Sequence, residues 1–231
     1  MLALVTSDRS YINNLLDKLT FSKEKSPNKA EVYKCKYNNH EFIILVMGYG
    51  KVNIGSSLRY LSDKYNIKAV ICIGTGGSIT DTNDIFSAVI PTSTLEFDVD
   101  FMPNGYKPAQ VPLIDKAIYK TNDDLNNCLK NACIKRNTNY SYDVIATSDM
   151  FVSNYNLSNS IRREYNAGLV DSEAGSVGEY CYINDIPYSC LKIVSNFASN
   201  NAIKQYNLYD DNASNIMQNV IYKFLKLFYK E

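Results

Sequence analysis

Two short strings near the C-terminus hold the residues best suited to chemistry: Val170-Asp171-Ser172-Glu173-Ala174 and Ile193-Val194-Ser195-Asn196. Each sets polar groups at the end of an apolar run of strand length. In an α/β sheet, ligands are held just beyond the carboxyl ends of strands. A carboxylate such as Glu173 is costly to bury without a partner, so its place there calls for a function. An amide such as Asn196 can donate and accept hydrogen bonds, but it cannot serve as a general acid.

Three further strings also follow strand-like runs. Gly48-Tyr49-Gly50-Lys51-Val52 comes after residues 42–47, and Gly74-Thr75-Gly76-Gly77-Ser78 after residues 69–73. Glycine lets backbone approach a ligand closely, and free N–H groups there can bind oxygen atoms. Neither string has P-loop spacing, and each also has the ordinary composition of a strand-to-helix turn. Thr147-Ser148-Asp149-Met150-Phe151-Val152-Ser153 closes the run 142–147. There Phe151 either stacks on a planar ring or fills the core.

These strings need a scaffold, and the apolar pattern supplies one. Strands are expected at 2–5, 69–73, 85–90 (stopped by Pro91), 142–147 and 186–194, with another ending at Leu169-Val170. A hairpin is expected from 32–37 and 42–47 around Asn38-Asn39. Helical spacing marks 52–65, 125–134, 157–165 and 174–182, and a C-terminal helix whose stripe is Ile216, Val220, Phe224 and Leu227. Residues 98–112 carry Pro103, Gly105, Pro108 and Pro112 and read as a long loop, a kind of segment that is often functional. The alternation predicts one domain over 1–231, a three-layer α/β/α sandwich with a mixed central sheet.

Composition removes several function classes. The 24 basic and 24 acidic side chains cancel, which argues against nucleic acid as the partner. No run of about 18 apolar residues exists to span a membrane, and no signal-peptide pattern opens the chain, so a cytoplasmic location is expected. The six cysteines lack metal spacing, and His40 is the one histidine, in a turn-like context. No metal and no cofactor is therefore expected. Cys72 and Cys190 read as buried small hydrophobes.

The order and spacing of the strings resemble the nucleoside phosphorylase/nucleosidase superfamily, and most closely its bacterial 5′-methylthioadenosine/S-adenosylhomocysteine nucleosidases. Gly48-Tyr49-Gly50-Lys51-Val52-Asn53 matches the family's G-I-G-K-V-N, and Gly74-Thr75-Gly76-Gly77 its G-S-A-G. Asp98-Val99-Asp100 with Gly105-Tyr106 matches D-A-D…G-Y. Ser148-Asp149-Met150-Phe151-Val152 resembles S-G-D-A-F-[IV], Val170-Asp171-Ser172-Glu173 V-D-M-E, and Val194-Ser195-Asn196 I-S-D.

The resemblance implies a phosphorylase/nucleosidase-like fold and a purine nucleoside as the small-molecule partner. It also implies hydrolysis of the N9–C1′ bond to free base and a ribose or 5-substituted ribose. Glu173 and Asn196 would carry the catalysis, Glu173 by holding the ribose hydroxyls and favouring a cationic sugar. Thr75, Gly76, Ser172 and Ser195 would line the ribose and base site. Val152 would read the purine edge through its backbone, with Phe151 against the ring. Tyr106, and by spacing Tyr206, would line the 5′ pocket, which a homodimer partner often completes.

Three departures from the family pattern bear on this. Asn196 stands where the nucleosidases have an Asp that protonates N7, and an amide there suits a 6-oxopurine better than adenine. The first turn, Ser7-Asp8-Arg9-Ser10-Tyr11, puts Tyr11 where those enzymes carry a water-activating Glu, with Asp8 as the alternative. Ser172 replaces the Met that packs under the ribose. Arg9 raises a phosphorylase reading, since phosphorylases bind phosphate through an Arg in this turn. The G-D-P preceding that Arg is absent here, and Cys72 stands where a second phosphate Arg would be. A non-catalytic nucleoside-binding protein is the third reading.

Overall fold

The computed structural model describes residues 1–26 and 29–230. In chain order the strands are β1 (Leu2–Thr6), β2 (Thr20–Glu24), β3 (Glu31–Tyr37), β4 (His40–Val46), β5 (Ala69–Ser78), β6 (Ala88–Glu96), β7 (Tyr119–Lys120), β8 (Tyr140–Thr147), β9 (Ala167–Asp171) and β10 (Tyr188–Phe197). The helices are α1 (Asn13–Leu16), α2 (Lys51–Lys64), α3 (Asp123–Lys135), α4 (Tyr155–Tyr165), α5 (Ala174–Ile183) and α6 (Ala202–Phe228). Among the described residues, no helix is long and apolar enough to cross a membrane.

One mixed sheet organises the molecule, in the order β10-β6-β8-β9-β5-β1-β4-β3-β2. Because β10 also pairs with β5, the five strands β5, β9, β8, β6 and β10 close on themselves. The mixed central sheet expected from the alternation of elements is thus present, and it is curved. Helices cover both faces of the sheet. Leu15, Leu129, Met217, Val220 and Phe224 pack from α1, α3 and α6 against one face. Ile54, Leu58 and Val177 pack from α2 and α5 against the other. The expected stripe of α6 buries Val220 and Phe224 fully, with Ile216 and Leu227 half-buried beside them.

Several strand limits differ from the sequence reading, β10 for one running past 194 to Phe197, and two of the differences have a clear physical reason. The glycine-rich string after Ile73 is strand and not turn: β5 runs through Ser78, fully buried over all ten residues. Neighbours on both edges keep its backbone groups paired, with β10 along the length and β9 at Gly77 and Ser78. Pro91 does not stop β6 either. The strand passes through it with a register shift against β8 between Pro91 and Ser93, the kind of irregularity that tolerates proline. The Pro91 carbonyl is satisfied from outside the ladder by the Thr121 hydroxyl and the Asn126 amide. The 32–37/42–47 hairpin forms as expected, with Asn38 in the left-handed region at φ 51°.

Candidate active site

The ends of β5, β8, β9 and β10 enclose a cavity of about 570 Å³, large enough for a nucleoside-sized ligand. Its walls bring together Thr75, Gly76, Phe151, Val152, Ser172, Glu173, Ser195, Asn196 and Tyr206, all singled out from the sequence. Tyr11, Tyr49, Gly77, Asp149 and Asp171 join them.

At the floor, Glu173 follows β9 and opens α5, whose N-terminal dipole favours negative charge. It is buried at 3% exposure, and Lys192 of β10 donates to its Oε2 at 2.5 Å. The same ammonium lies 2.9 Å from Asp171 Oδ2. Asp171 also accepts from the Thr147 hydroxyl and from the Ala174 N–H at the start of α5. Burial pushes the Glu173 carboxyl above its ordinary range, and Lys192 opposes that rise. Burial also works against the Lys192 charge, but the Asp171 and Glu173 carboxylates outweigh it and raise the ammonium well above its usual value. Gly74 makes room for this cluster, since a Cβ there would sit 3.0 Å from Lys192 Nζ. The remaining oxygen, Oε1, accepts from Ser172 at 3.1 Å. A serine where a methionine was expected therefore gives the carboxylate a second polar contact.

Asn196 is placed by a bulge. The β10–β5 register shifts between Val194 and Asn196, which sets Asn196 opposite Gly77. A Cβ on Gly77 would come 2.8 Å from Asn196 Oδ1, so only glycine leaves space for the amide. The Asn196 NH₂ donates to Ser195 Oγ at 3.1 Å. That leaves the side chain able to offer a donor and an acceptor into the cavity.

Phe151 is not core: it is 52% exposed and meets Tyr206 edge to face at 5.6 Å between centroids. Val152 beside it is buried. The Gly48-Tyr49-Gly50-Lys51 string closes this side. Gly50, at φ 93°, caps α2, and the Lys51 N–H bonds Asp149 Oδ1 at 3.1 Å. The Lys51 ammonium bridges Glu96 and Asp98 at 3.0 and 2.6 Å. One lysine thus ties the glycine string to the acidic loop and to the Ser148-Asp149 turn.

Three expected site residues do not reach the cavity wall. Asp8 is spent locally, accepting from the Ser10 N–H and hydroxyl to cap the first turn. Arg9 turns outward, paired with Glu31 at 3.1 Å, bonded to the Tyr33 hydroxyl and stacked over the Tyr33 ring. Tyr106 stays in the 98–112 loop, where a tight turn through Gly105 folds its N–H back toward Phe101. Two groups escaped the sequence reading. Lys192 could have been found as a lone lysine within the apolar Leu191-Lys192-Ile193 run. Asp210 of α6, bonded to Thr75 and Tyr11, left no local signal.

A curved mixed α/β sheet with a carboxylate and an amide at its strand ends is one recognisable class of architecture. The chain matches the Phosphorylase superfamily over residues 2–227 and belongs to that family. It is 24% identical over 228 residues to a 5′-methylthioadenosine/S-adenosylhomocysteine nucleosidase of Staphylococcus haemolyticus, covering 98% of this chain and 100% of that one. It is 28% identical to the enzyme of that name from Bacillus cytotoxicus, covering 97% and 98%. Its fold is similar to that of Helicobacter pylori futalosine hydrolase (TM-score 0.92, 19% identity, 98% and 97% covered). It is equally similar to the Neisseria meningitidis nucleosidase in complex with methylthio-immucillin-A (TM-score 0.93, 20% identity, 98% of each chain).

Proposed function

We propose that this chain is a purine nucleoside N-glycosidase that uses water to cleave the N9–C1′ bond, releasing free base and a ribose or 5-substituted ribose. The observation that carries the reading is the Glu173 carboxylate, held by Lys192 on the cavity floor, with Asn196 on the wall of the same cavity. Glu173 would accept hydrogen bonds from the ribose hydroxyls and favour positive charge on the sugar as the base departs. Thr75, Gly76, Ser172 and Ser195 would line the ribose and base. Phe151 would lie against the purine and the Val152 backbone would read its edge, with Tyr206 toward the 5′ end. Asn196 would hold N7–H and donate to O6, shifting preference toward 6-oxopurines.

Water is favoured over phosphate as the attacking group by the charge of the wall. Among the described residues, no Lys, Arg or His lines the cavity. Arg9, Lys51 and Lys192 are each committed to carboxylates, Arg9 to Glu31, Lys51 to Glu96 and Asp98, and Lys192 to Asp171 and Glu173. A phosphorylase needs fixed donors for its oxyanion.

We also infer a homodimer in the cytoplasm, acting in purine or methionine salvage. Met150 and Phe151, both on the cavity wall, are about half exposed, and a second copy would cover them. Size-exclusion chromatography with light scattering tests the dimer; a monomer at micromolar concentration contradicts it. The activity is tested with methylthioadenosine, S-adenosylhomocysteine, adenosine, inosine, guanosine and futalosine, each with and without phosphate. Base release without phosphate is expected. Ribose 1-phosphate as product would support the phosphorylase reading, and binding without turnover the non-catalytic one.

A further inference from the structure

A hydrolase needs a group to take the proton from water, and the carboxylates on the cavity wall are otherwise engaged. Asp149 holds the Lys51 backbone, Asp171 holds Lys192, and Glu173 is shared between Lys192 and Ser172. A fourth carboxylate lies one layer outside the wall. Asp210 of α6 is half-buried, and its Oδ1 accepts from Thr75 Oγ1 at 2.6 Å. Tyr11 donates to the same carboxylate at 3.2 Å and lies 2.9 Å from Thr75 Oγ1. Thr75 and Tyr11 both face the cavity. Thr75 is next in sequence to Gly74, whose Cβ position is 3.8 Å from Glu173 Oε2, so this relay adjoins the carboxylate floor.

We propose that Asp210 takes the proton of the attacking water through the Thr75 hydroxyl, with Tyr11 holding the two in line. The proposal rests on the hydrolase reading. As the N9–C1′ bond breaks, its electron pair leaves with the purine, which gains a proton from solvent. The water oxygen bonds C1′ and loses one proton to Thr75 Oγ1, while Thr75 passes its own proton to Asp210 Oδ1. Asp210 later releases that proton to solvent. Tyr11 remains a neutral phenol, because burial and the Asp210 charge raise its pKa far above the usual value. Asp210 touches no substrate and is a positioning residue acting through Thr75.

The test compares wild type, Asp210→Asn, Asp210→Glu and Thr75→Val on methylthioadenosine and inosine in phosphate-free buffer, with wild type also assayed in phosphate. Asp210→Asn keeps the hydrogen-bonding shape but loses the base, so kcat should fall about 100-fold, the lower range for general base catalysis. For Asp210→Asn, KM and the thermal midpoint should hold; Asp210→Glu should recover part of the rate, and Thr75→Val should lower kcat at least as far, with KM rising as well because Thr75 lines the site. Wild-type kcat in Asp210→Asn, with wild type hydrolysing normally, overturns the relay alone. So does a parallel loss of kcat, KM and thermal midpoint that Asp210→Glu does not relieve. A wild-type protein that releases no base, or only with phosphate, overturns the hydrolase reading and the relay together.

Discussion

Lys192 and Glu173 form a fully buried ion pair, 2.5 Å from Nζ to Oε2, inside the strand-end cluster that floors the cavity. The pair fixes where the carboxylate points, and its second acid, Asp171, keeps the lysine charged. Removing the lysine leaves two buried carboxylates without their shared counter-charge. Lys192→Met should therefore destabilise the fold by about 3–5 kcal/mol, the usual cost of orphaning a buried charge. Urea unfolding measures this; an unchanged midpoint would show that the cluster is solvated or neutral.

Glu173→Gln is the gentler probe of the same floor. Lys192 keeps Asp171, so the fold should hold while the cationic sugar loses its counter-charge. A fall in kcat of at least about 100-fold is expected, on the scale of losing one preorganised electrostatic contact. A fully active variant would refute the role of Glu173.

Much of this site was legible in the sequence, and what was missed follows a pattern. Glu173, Asn196 and Val152 sit in strings whose local order already marks a strand end, and Thr75 in a glycine-rich string that drew notice although it lies inside β5. Asp210 does not: it meets Tyr11 across 199 positions, and nothing in Tyr209-Asp210-Asp211 separates the inward acid from the outward one. Asp8 and Arg9 were misplaced for the converse reason. Their residue types suit a ligand, but neighbours at Ser10, Glu31 and Tyr33 claim them first. The glycines of β5 read as a turn because small residues mark turns. Here they give way to side chains from neighbouring strands, Lys192 at Gly74 and Asn196 at Gly77.

Asn196→Asp should move preference from 6-oxopurines toward 6-aminopurines, because a carboxyl can protonate N7 but cannot donate to O6 once ionised. The inosine-to-methylthioadenosine ratio of kcat/KM reads this. An unchanged ratio would remove Asn196 from the specificity argument.

Phe151→Ala should act mainly on binding. The ring is exposed and meets Tyr206 edge to face, and an aromatic contact is worth about 0.5–1.5 kcal/mol. KM should rise several-fold with kcat little changed; a loss confined to kcat would contradict stacking.

Activity should fall in mild acid. Burial raises the Asp210 carboxyl, only partly offset by Thr75, Tyr11 and Tyr206, and Asp211 raises it further. Glu173 is raised as well. Both must be ionised to work, so kcat/KM should decline through a midpoint above the ordinary carboxylate range as pH falls. A rate that is flat down to that range would contradict this.

The most direct measurement is product analysis of the purified protein with methylthioadenosine and with inosine, in buffer with and without phosphate. The account predicts equal amounts of free base and free sugar, at a rate that phosphate does not change. Formation of ribose 1-phosphate, a strict need for phosphate, or no base released from any nucleoside would contradict it.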